Sequence, residues 1–198
     1  MKETKVLYVV NSSLATPTGG GRTRVIAAAK QATEHGFNVV ILCVFPPQQL
    51  LLRFFALLAG KAALARESGC RVHYFPTLPL TRVGWLRWLN NWYGGWIVRL
   101  LCWRHNIEVV HGHGLRATTF ALLARRIKGH LRIVADVHGA TTEEYLYERK
   151  LTRHDAFAYE LEQEESRMLR ESNWLIFVSH GMQKFYEEKL QMRFTNIS

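Results

Sequence analysis

Two short apolar segments end in histidine and glycine, and these residues are the clearest candidates for chemistry. The first is residues 109–114, which contains His111 and His113, and the second is residues 134–139, which contains His138. In an open parallel sheet, ligands bind outside the carboxyl ends of the strands. If the two segments form neighbouring strands, their imidazoles and their bare glycine backbone border one cleft.

The three imidazoles permit acid–base chemistry and, less readily, metal binding. An ordinary imidazole titrates near neutral pH, so His138 is a candidate general acid or base. His111 and His113 could share a metal, but a zinc site uses three or four His, Cys, Asp or Glu ligands and this motif supplies no others. We therefore expect no metal. A structural role for His138 stays open, in which the ring bonds a backbone carbonyl at the end of a strand.

A second candidate site follows the apolar segment of residues 5–10. The turn there contains three consecutive glycines, Gly19, Gly20 and Gly21. Glycine lets the backbone approach a ligand closely, and amides at the start of a helix favour negative charge. Arg22 and Arg24 add to that preference, so the turn is a candidate phosphate site. The dinucleotide and P-loop signatures are both absent, which leaves a flexible loop with a helix cap as the alternative.

Six apolar segments alternate with helical segments and must position these residues. The predicted strands are residues 5–10, 38–45, 71–75, 107–110, 131–135 and 174–178. Continuous apolar runs are typical of strands that are buried on both faces, and parallel strands need helical crossovers. This pattern predicts one α/β domain, Rossmann-like and doubly wound, with a mostly parallel sheet. Between residues 142 and 171 we expect a helical region that breaks near residues 152–155, and Ser179 is a good N-cap for the last helix.

The helical segment of residues 83–104 is unusual in its tryptophans. At about 100° per residue, five of them fall on one narrow face: Trp85, Trp88, Trp92, Trp96 and Trp103. Arginines surround this stripe, and we expect the adjacent Gly94 and Gly95 to loosen or break the helix. Tryptophan with arginine suits a membrane–water interface. The alternative is a helix packed on the sheet with tryptophan as core filler.

Composition and charge limit the possible partners. With 48% hydrophobic and 21% charged residues, the chain is globular. Residues 1–135 hold 18 Lys and Arg against 4 Asp and Glu, which favours anionic partners. No nucleic-acid-binding module is recognisable, so nucleic acid is not expected. No secretion signal and no apolar run of membrane-spanning length is visible, and the three cysteines fit buried reduced thiols, so we expect a cytoplasmic protein.

Taken in order, these motifs resemble the N-terminal half of a GT-B fold glycosyltransferase of the family 4 type. The resemblance spans almost the whole chain and rests on residues 5–10 with the glycines that follow, and on residues 109–114, 134–139 and 173–182. It implies two Rossmann-like domains that face each other across a cleft. The family transfers a sugar from a nucleotide-sugar with retention of configuration, without a bound metal or other permanently bound cofactor. The glycine turn would then approach the donor phosphates and the acceptor, and His138 would lie beside the transferred sugar. Arg22, Arg24, His111 and His113 would face phosphate or acceptor groups.

The chain departs from that family pattern in one respect. The donor-binding half of such enzymes carries two glutamates spaced E-x7-E, and no glutamate here has another eight positions later. We therefore expect residues 1–198 to be a single acceptor-side N-terminal domain, with the nucleotide-sugar-binding domain outside this chain, and to be inactive alone.

The resemblance also bears on the acceptor, because N-terminal domains of this family often touch a membrane. We expect a glycan or lipid-linked acceptor and an anionic membrane surface, with the protein cytoplasmic or peripheral on the inner face. The alternatives are a non-catalytic membrane-surface or protein-interaction domain of the same fold, and a GT-B type sugar-nucleotide epimerase.

Overall fold

The structure is a computed structural model that describes residues 4–14, 20–78, 83–127, 129–150 and 152–197. The strands are β1 (Lys5–Val10), β2 (Asn38–Phe45), β3 (Arg71–Pro76), β4 (Val109–His113), β5 (Arg132–Val137) and β6 (Trp174–Phe177). The helices are α1 (Gly20–Glu34), α2 (Gln48–Ser68), α3 (Gly84–His105), α4 (Gly114–Ile127), α5 (Thr141–Arg149), α6 (Ala156–Glu171) and α7 (His180–Leu190).

The six strands form one sheet in the order β3-β2-β1-β4-β5-β6, and all of the pairings are parallel. The chain builds the sheet outward from β1 in one direction and then returns to extend it from β4 in the other. The switch point of this doubly wound sheet therefore lies between β1 and β4, where ligands are expected. The predicted fold class is confirmed. Near the end of the described chain, Ile197 bridges Leu175 in parallel, beyond β6.

Each face of the sheet is covered by its own helices because successive strand residues point to opposite sides. On one face, Val6, Tyr8 and Val10 pack against α1 and α2. On the other face, Leu7 and Val9 belong to a core that includes residues of α3 and α4. A third cluster joins the ends of β5 and β6 to α6 and α7. This burial on both faces explains why the strands are apolar without alternation.

The boundaries of β3, β4, β5 and β6 differ from the prediction by one to three residues, and the ends of β4 and β5 matter most for the site. β4 runs on to His113 instead of ending at Val110, and β5 runs on to Val137 instead of ending at Ala135. Both extensions are held by pairing with neighbours, such as Tyr8 with His111 in β1 and β4. The histidines of β4 are therefore strand residues and not the start of a loop.

The predicted break in α3 at Gly94 and Gly95 is wrong, because the helix is continuous from Gly84 to His105. A Cβ at Gly94 would lie 2.6 Å from the ring of Phe120, and one at Gly95 would lie 2.8 Å from the Cβ of Leu123. The two glycines thus let α3 and α4 pack closely. The cost of glycine in a helix, about 1 kcal/mol per residue, is offset by that contact.

Other local predictions are confirmed. Residues 152–155 separate α5 from α6, and the amide of Thr152 donates to Asp155 Oδ2 at 2.8 Å. The Ser179 side chain accepts from the Met182 amide at 3.2 Å and so caps α7. The three cysteines are buried free thiols. No helix in the described part of the chain combines the length and apolar composition that a membrane crossing requires.

Candidate functional site

A cleft of about 1080 Å³ opens at the switch point of the sheet. It is lined by the residues that follow β1, by the first turns of α1, and by the ends of β4 and β5. Gly21, which lies in the first turn of α1, and His138 both line it, so one of the three predicted glycines shares a groove with the later histidine. Gly20 begins α1, and Gly19 lies outside the described residues. A Cβ at Gly21 would meet nothing within 4 Å, which leaves the α1 backbone open to a ligand.

His111 and His113 do not stand at the lip of the cleft, contrary to expectation. They are 7% and 6% exposed, because they belong to β4 and not to the loop after it. Their rings stack with centroids 4.7 Å apart and an interplanar angle of 8°. Tyr8 covers them from β1, with its ring centroid 4.5 Å from that of His111. The pair is therefore a buried layer, of which His113 borders the cleft.

Asp136 joins this layer and was not predicted as a site residue. Its Oδ2 accepts from His113 Nδ1 at 2.9 Å, and its two oxygens accept from Arg24 Nε at 3.1 Å and Nη2 at 2.6 Å. Asp136 is buried and Arg24 is partly exposed, so the fork of Arg24 covers the carboxylate from the side of α1. Charge-assisted hydrogen bonds thus connect Arg24 of α1, Asp136 of β5 and His113 of β4, and they hold these side chains in place at the bottom of the cleft.

This layer shifts the pKa values of its members in directions that follow from burial and charge. Burial, with the neighbouring His113, lowers the pKa of His111 to about 3, so its ring is neutral near pH 7. Burial alone would raise the pKa of Asp136, but the hydrogen bond and charge of His113, together with Arg24, hold it below its ordinary value. Burial raises the pKa of Tyr8 to about 12. The network at neutral pH therefore contains an ionised Asp136 and a neutral His111.

The same three side chains could be taken for a metal site, since one ligand atom from each of His111, His113 and Asp136 lies within 4.8 Å of the others. Their arrangement does not suit one. Both oxygens of Asp136 are engaged by Arg24 and His113. The guanidinium of Arg24 already occupies the side of the carboxylate where a metal would bind, and its positive charge would repel a metal ion. The donor set instead fits an internal ion pair.

His138 is exposed at the carboxyl end of β5, where it borders the cleft. Its Nδ1 lies 3.3 Å from the backbone oxygen of Asp136, which is the hydrogen bond of the structural alternative. That contact fixes the ring and leaves Nε2 for another partner, so the structural and chemical roles are compatible. Gly114 adopts a φ of 81°, and a Cβ there would approach His138 Cε1 to 3.2 Å. Glycine at this position therefore gives the ring its space.

Arg22 was expected to face anions, but it is buried and already paired. Its guanidinium donates to the carbonyl of Leu14 and lies 2.8 Å from Glu67 Oε1 of α2. The same contacts pin the segment after β1 onto α1. Among the two arginines of this turn, only Arg24 combines partial exposure with a position on the cleft.

The tryptophan stripe of α3 is not core filler. All five tryptophans are exposed, with fractions between 46% and 67%: Trp85, Trp88, Trp92, Trp96 and Trp103. The opposite face of the helix, with Ile97, Val98, Leu101 and Cys102, provides the core contacts instead. On α2, Phe54, Phe55 and Leu58 are exposed as well. The stripe on α3 and the residues on α2 lie on opposite faces of the sheet, and an exposed aromatic surface such as the stripe marks an interaction site.

The family model described as Glycosyltransferase Family 4 matches residues 18–198, which is most of the chain. Among curated proteins, none matches this sequence significantly.

Three solved structures are similar to this chain over nearly its whole length. They are a glycosyltransferase from Rickettsia africae (13% identity, TM-score 0.58, covering 100% of this chain and 42% of that one), the sucrose-phosphate synthase of Thermosynechococcus elongatus (9%, 0.64, 98% and 47%) and a UDP-N-acetylglucosamine 2-epimerase (11%, 0.57, 99% and 47%). At these identities the similarity shows the fold. The chain spans less than half the length of each of these proteins.

Proposed function

The chain belongs to glycosyltransferase family 4 and has the fold of the N-terminal half of a GT-B enzyme, and from this we propose that it is the acceptor-binding domain of a retaining glycosyltransferase. Such an enzyme moves a sugar from a nucleotide-sugar to an acceptor, which we take to be membrane-borne or lipid-linked. One observation carries the proposal: the open start of α1 and the exposed ring of His138 border the same cleft at the switch point of the sheet.

Each part of the cleft has a role in this proposal. The amides at the start of α1 carry the positive end of the helix dipole and favour the donor phosphates. His138, with Nδ1 held by a backbone carbonyl, offers Nε2 to a hydroxyl of the transferred sugar. The ion pair of Arg24 with Asp136 and the stacked pair of His111 and His113 form a rigid floor beneath the reacting groups. Precise positioning of this kind is a large part of catalysis of group transfer.

The membrane part of the proposal is supported by the exposed tryptophan stripe of α3. Tryptophan places an apolar ring and a polar N–H at the boundary of water and lipid. Arg104 is exposed on α3 next to Trp103, and residues 1–135 carry a large excess of positive charge. Aromatic surface with surrounding cations fits an anionic bilayer, on which a lipid-linked acceptor is presented to the cleft.

The transfer reaction is tested by incubating labelled UDP-glucose and GDP-mannose, with a membrane lipid extract as the source of acceptor, with the product of the complete gene, with its His138→Ala variant, and with residues 1–198 alone. We expect transfer by the complete protein, a loss of about 100-fold or more in the variant, and none by residues 1–198. Separation of the labelled products distinguishes a transferase from an epimerase. Transfer by residues 1–198 alone, or an unaffected His138→Ala variant, would contradict the proposal.

Membrane binding is tested separately by co-sedimentation with vesicles that contain 30% phosphatidylglycerol as a probe of anionic lipid. We expect binding at low salt that weakens as salt increases, and a clear reduction in the double variant Trp85→Ser, Trp103→Ser. Tyr147→Ser is the matched control, because Tyr147 is an aromatic residue of α5 that is 88% exposed away from the stripe. Equal binding by the two variants, or none by the unaltered protein, would exclude this surface.

A further inference from the structure

A second cavity, of about 500 Å³, lies on the helical face of the domain between α3, α4 and α6. Trp88 and Trp92 form part of its wall, and polar side chains of α6 form another part. We propose that this cavity is a binding site for a saccharide, and, on the basis of the proposed function, that the saccharide is the sugar portion of the acceptor. The site is separate from the glycine turn and from His138.

The floor of the cavity is built from buried polar groups. Arg87 and Asn91 are 4% and 9% exposed, and both meet Glu164 of α6. Arg87 Nε lies 3.4 Å from Glu164 Oε1, and Asn91 Nδ2 donates to the same oxygen at 3.1 Å. Arg87 also pairs with Glu160 and lies over the ring of Phe157. Buried ion pairs contribute little to stability compared with apolar packing, so this polar floor is better explained by recognition of a polar ligand.

The wall and the rim provide the remaining contacts that a sugar needs. Trp88 and Trp92 are half exposed or more, and their rings offer flat apolar surface to the C–H face of a pyranose. Gln163 and Glu160 stand at the rim with amide and carboxylate groups. A sugar hydroxyl is both a donor and an acceptor, so it requires a mixture of such groups. An aromatic wall with a few convergent polar groups, at this volume, is typical of a small-ligand site.

The charges of the cavity favour a saccharide over a phosphate. Three arginines line it, and each has a carboxylate partner: Arg87 pairs with Glu160 and Glu164, whereas Arg126 and Arg167 both lie within 4 Å of Glu171. Glu160 is half exposed and would repel a phosphate at the rim. Sites that hold phosphate use arginine forks that are free to grip it. The balanced charge here suits a neutral or weakly charged sugar.

Glu164 links this cavity to the cleft, because it lines both. Burial raises its pKa, against the opposing effects of Arg87 and Asn91. Glu164 therefore stands between the two sites, and a glycan with its reacting end in the cleft would pass this residue to reach the cavity. The cavity also lies beside the stripe of tryptophans that we assign to the membrane surface, which is where the sugar of a lipid-linked acceptor would be presented.

The test is binding of residues 1–198 to a printed saccharide array in the absence of lipid. We expect binding of at least one class of oligosaccharide. The affinity should fall by about 10-fold or more in the double variant Trp88→Ala, Trp92→Ala, and by less in the single variant Gln163→Ala. The second variant alters only an exposed side chain and so keeps the fold, which thermal unfolding checks for both. Trp103→Ala is the matched control from the same stripe, away from the cavity, and should bind as the unaltered protein does.

Three outcomes would overturn the proposal: no saccharide bound, equal loss in Trp103→Ala and in the cavity variants, or binding only to anionic phosphatidylglycerol vesicles. The array contains no nucleotide-sugar, so no transfer occurs on it, and Tyr147→Ala should leave binding unchanged because Tyr147 lines neither the cleft nor the cavity. The array therefore reads the cavity independently of transfer. If the complete protein transfers no sugar while the cavity variants lose saccharide binding, the proposed function fails and the saccharide site stands.

Discussion

Replacing His111 with phenylalanine should flatten the pH dependence of folding stability between pH 7 and pH 5. His111 is 7% exposed, its ring stacks on that of His113, and the tilted ring of Tyr8 lies against it with a centroid distance of 4.5 Å. Its Nε2 is buried and has no hydrogen-bond partner among the residues that the structure describes. Burial, with a contribution from His113, lowers its pKa from 6.5 to about 3. The native protein therefore does not take up a proton at this ring until the solution is strongly acidic.

The direction of the effect follows from proton linkage. The unfolded chain protonates His111 below pH 6.5, whereas the native state does so only near pH 3. The contribution of the neutral His111 ring to the free energy of unfolding is thus fully present above pH 6.5, and it is lost progressively as the pH falls toward 3. With these two pKa values, the linkage relation gives a loss of about 2 kcal/mol between pH 7 and pH 5 from this residue. That is a substantial part of the 5–15 kcal/mol by which domains are usually stable.

The measurement is urea unfolding followed by tryptophan fluorescence at pH 7, 6 and 5. Any strain from the larger ring shifts the stability of His111→Phe by the same amount at every pH, so only the slope is compared. The variant should lose about 2 kcal/mol less than the unaltered protein. Val110→Ala is the control, because this neighbour is fully buried and carries no titratable group. Parallel pH profiles for the unaltered protein and His111→Phe would refute the assignment of a buried neutral imidazole.

Three further outcomes are expected in unfolding experiments at neutral pH. Asp136→Asn weakens the partner of Arg24 and of a buried histidine, and should cost about 3 kcal/mol. Gly112→Ala puts a Cβ 2.7 Å from the Thr118 backbone and should cost about 2 kcal/mol or more. Gly21→Ala, with nothing within 4 Å, should instead be neutral or stabilising by up to about 1 kcal/mol.

The fold was predictable because its signals are local. The bounds of β1 and β2 agree with the apolar runs of residues 5–10 and 38–45. β4 was predicted too short, because histidine and glycine in residues 111–113 are typical of a loop. In the structure those residues are held in the strand by pairing with β1 and by the tilted ring of Tyr8, which packs against both histidines. A neighbouring strand stabilised a conformation that the local composition disfavours.

The site was predictable only in part, because its central contacts depend on register between distant strands. His113 lies opposite Asp136 in the pairing of β4 with β5. Had both strands been extended to their polar ends, that pairing could have been inferred, since each ends at the same edge of the sheet. The contacts of Arg22 with Glu67 and of Arg24 with Asp136 depend on how α1 docks. Periodicity does not contain that information.

The orientation of the tryptophans of α3 could not be predicted from helical periodicity either. Their spacing predicts a stripe, but a helical wheel does not say whether the stripe faces the sheet or the solvent. The stripe faces the solvent because the opposite face of α3 packs better against the domain. There Gly94 and Gly95 let α4 approach closely, and Leu101 and Cys102 fill the core. The buried side of α3 is therefore marked by small residues that permit close packing, although the same two glycines predict a break in the helix when only the sequence is considered.

The arginines of the cleft constrain how a nucleotide-sugar could be bound. Arg22 pairs with Glu67 and Arg24 with Asp136, so both cations beside the glycine turn are compensated within this chain. Separating Arg24 from Asp136 to grip a phosphate would leave the buried carboxylate with only His113 as a partner, at a cost of about 3 kcal/mol. That cost corresponds to a factor of more than 100 in the affinity for the ligand.

We therefore expect the charge of a donor diphosphate to be met mainly by cations outside residues 1–198, with the amides of α1 as a weaker contribution. The described part of this chain would then hold the sugar at His138 and position the acceptor, on a floor that the ion pair of Arg24 and Asp136 keeps rigid. This division follows from the compensated charges of the cleft. It explains physically why residues 1–198 alone should bind UDP only weakly, which calorimetry can measure; tight binding would mean that Arg24 leaves Asp136 for the ligand.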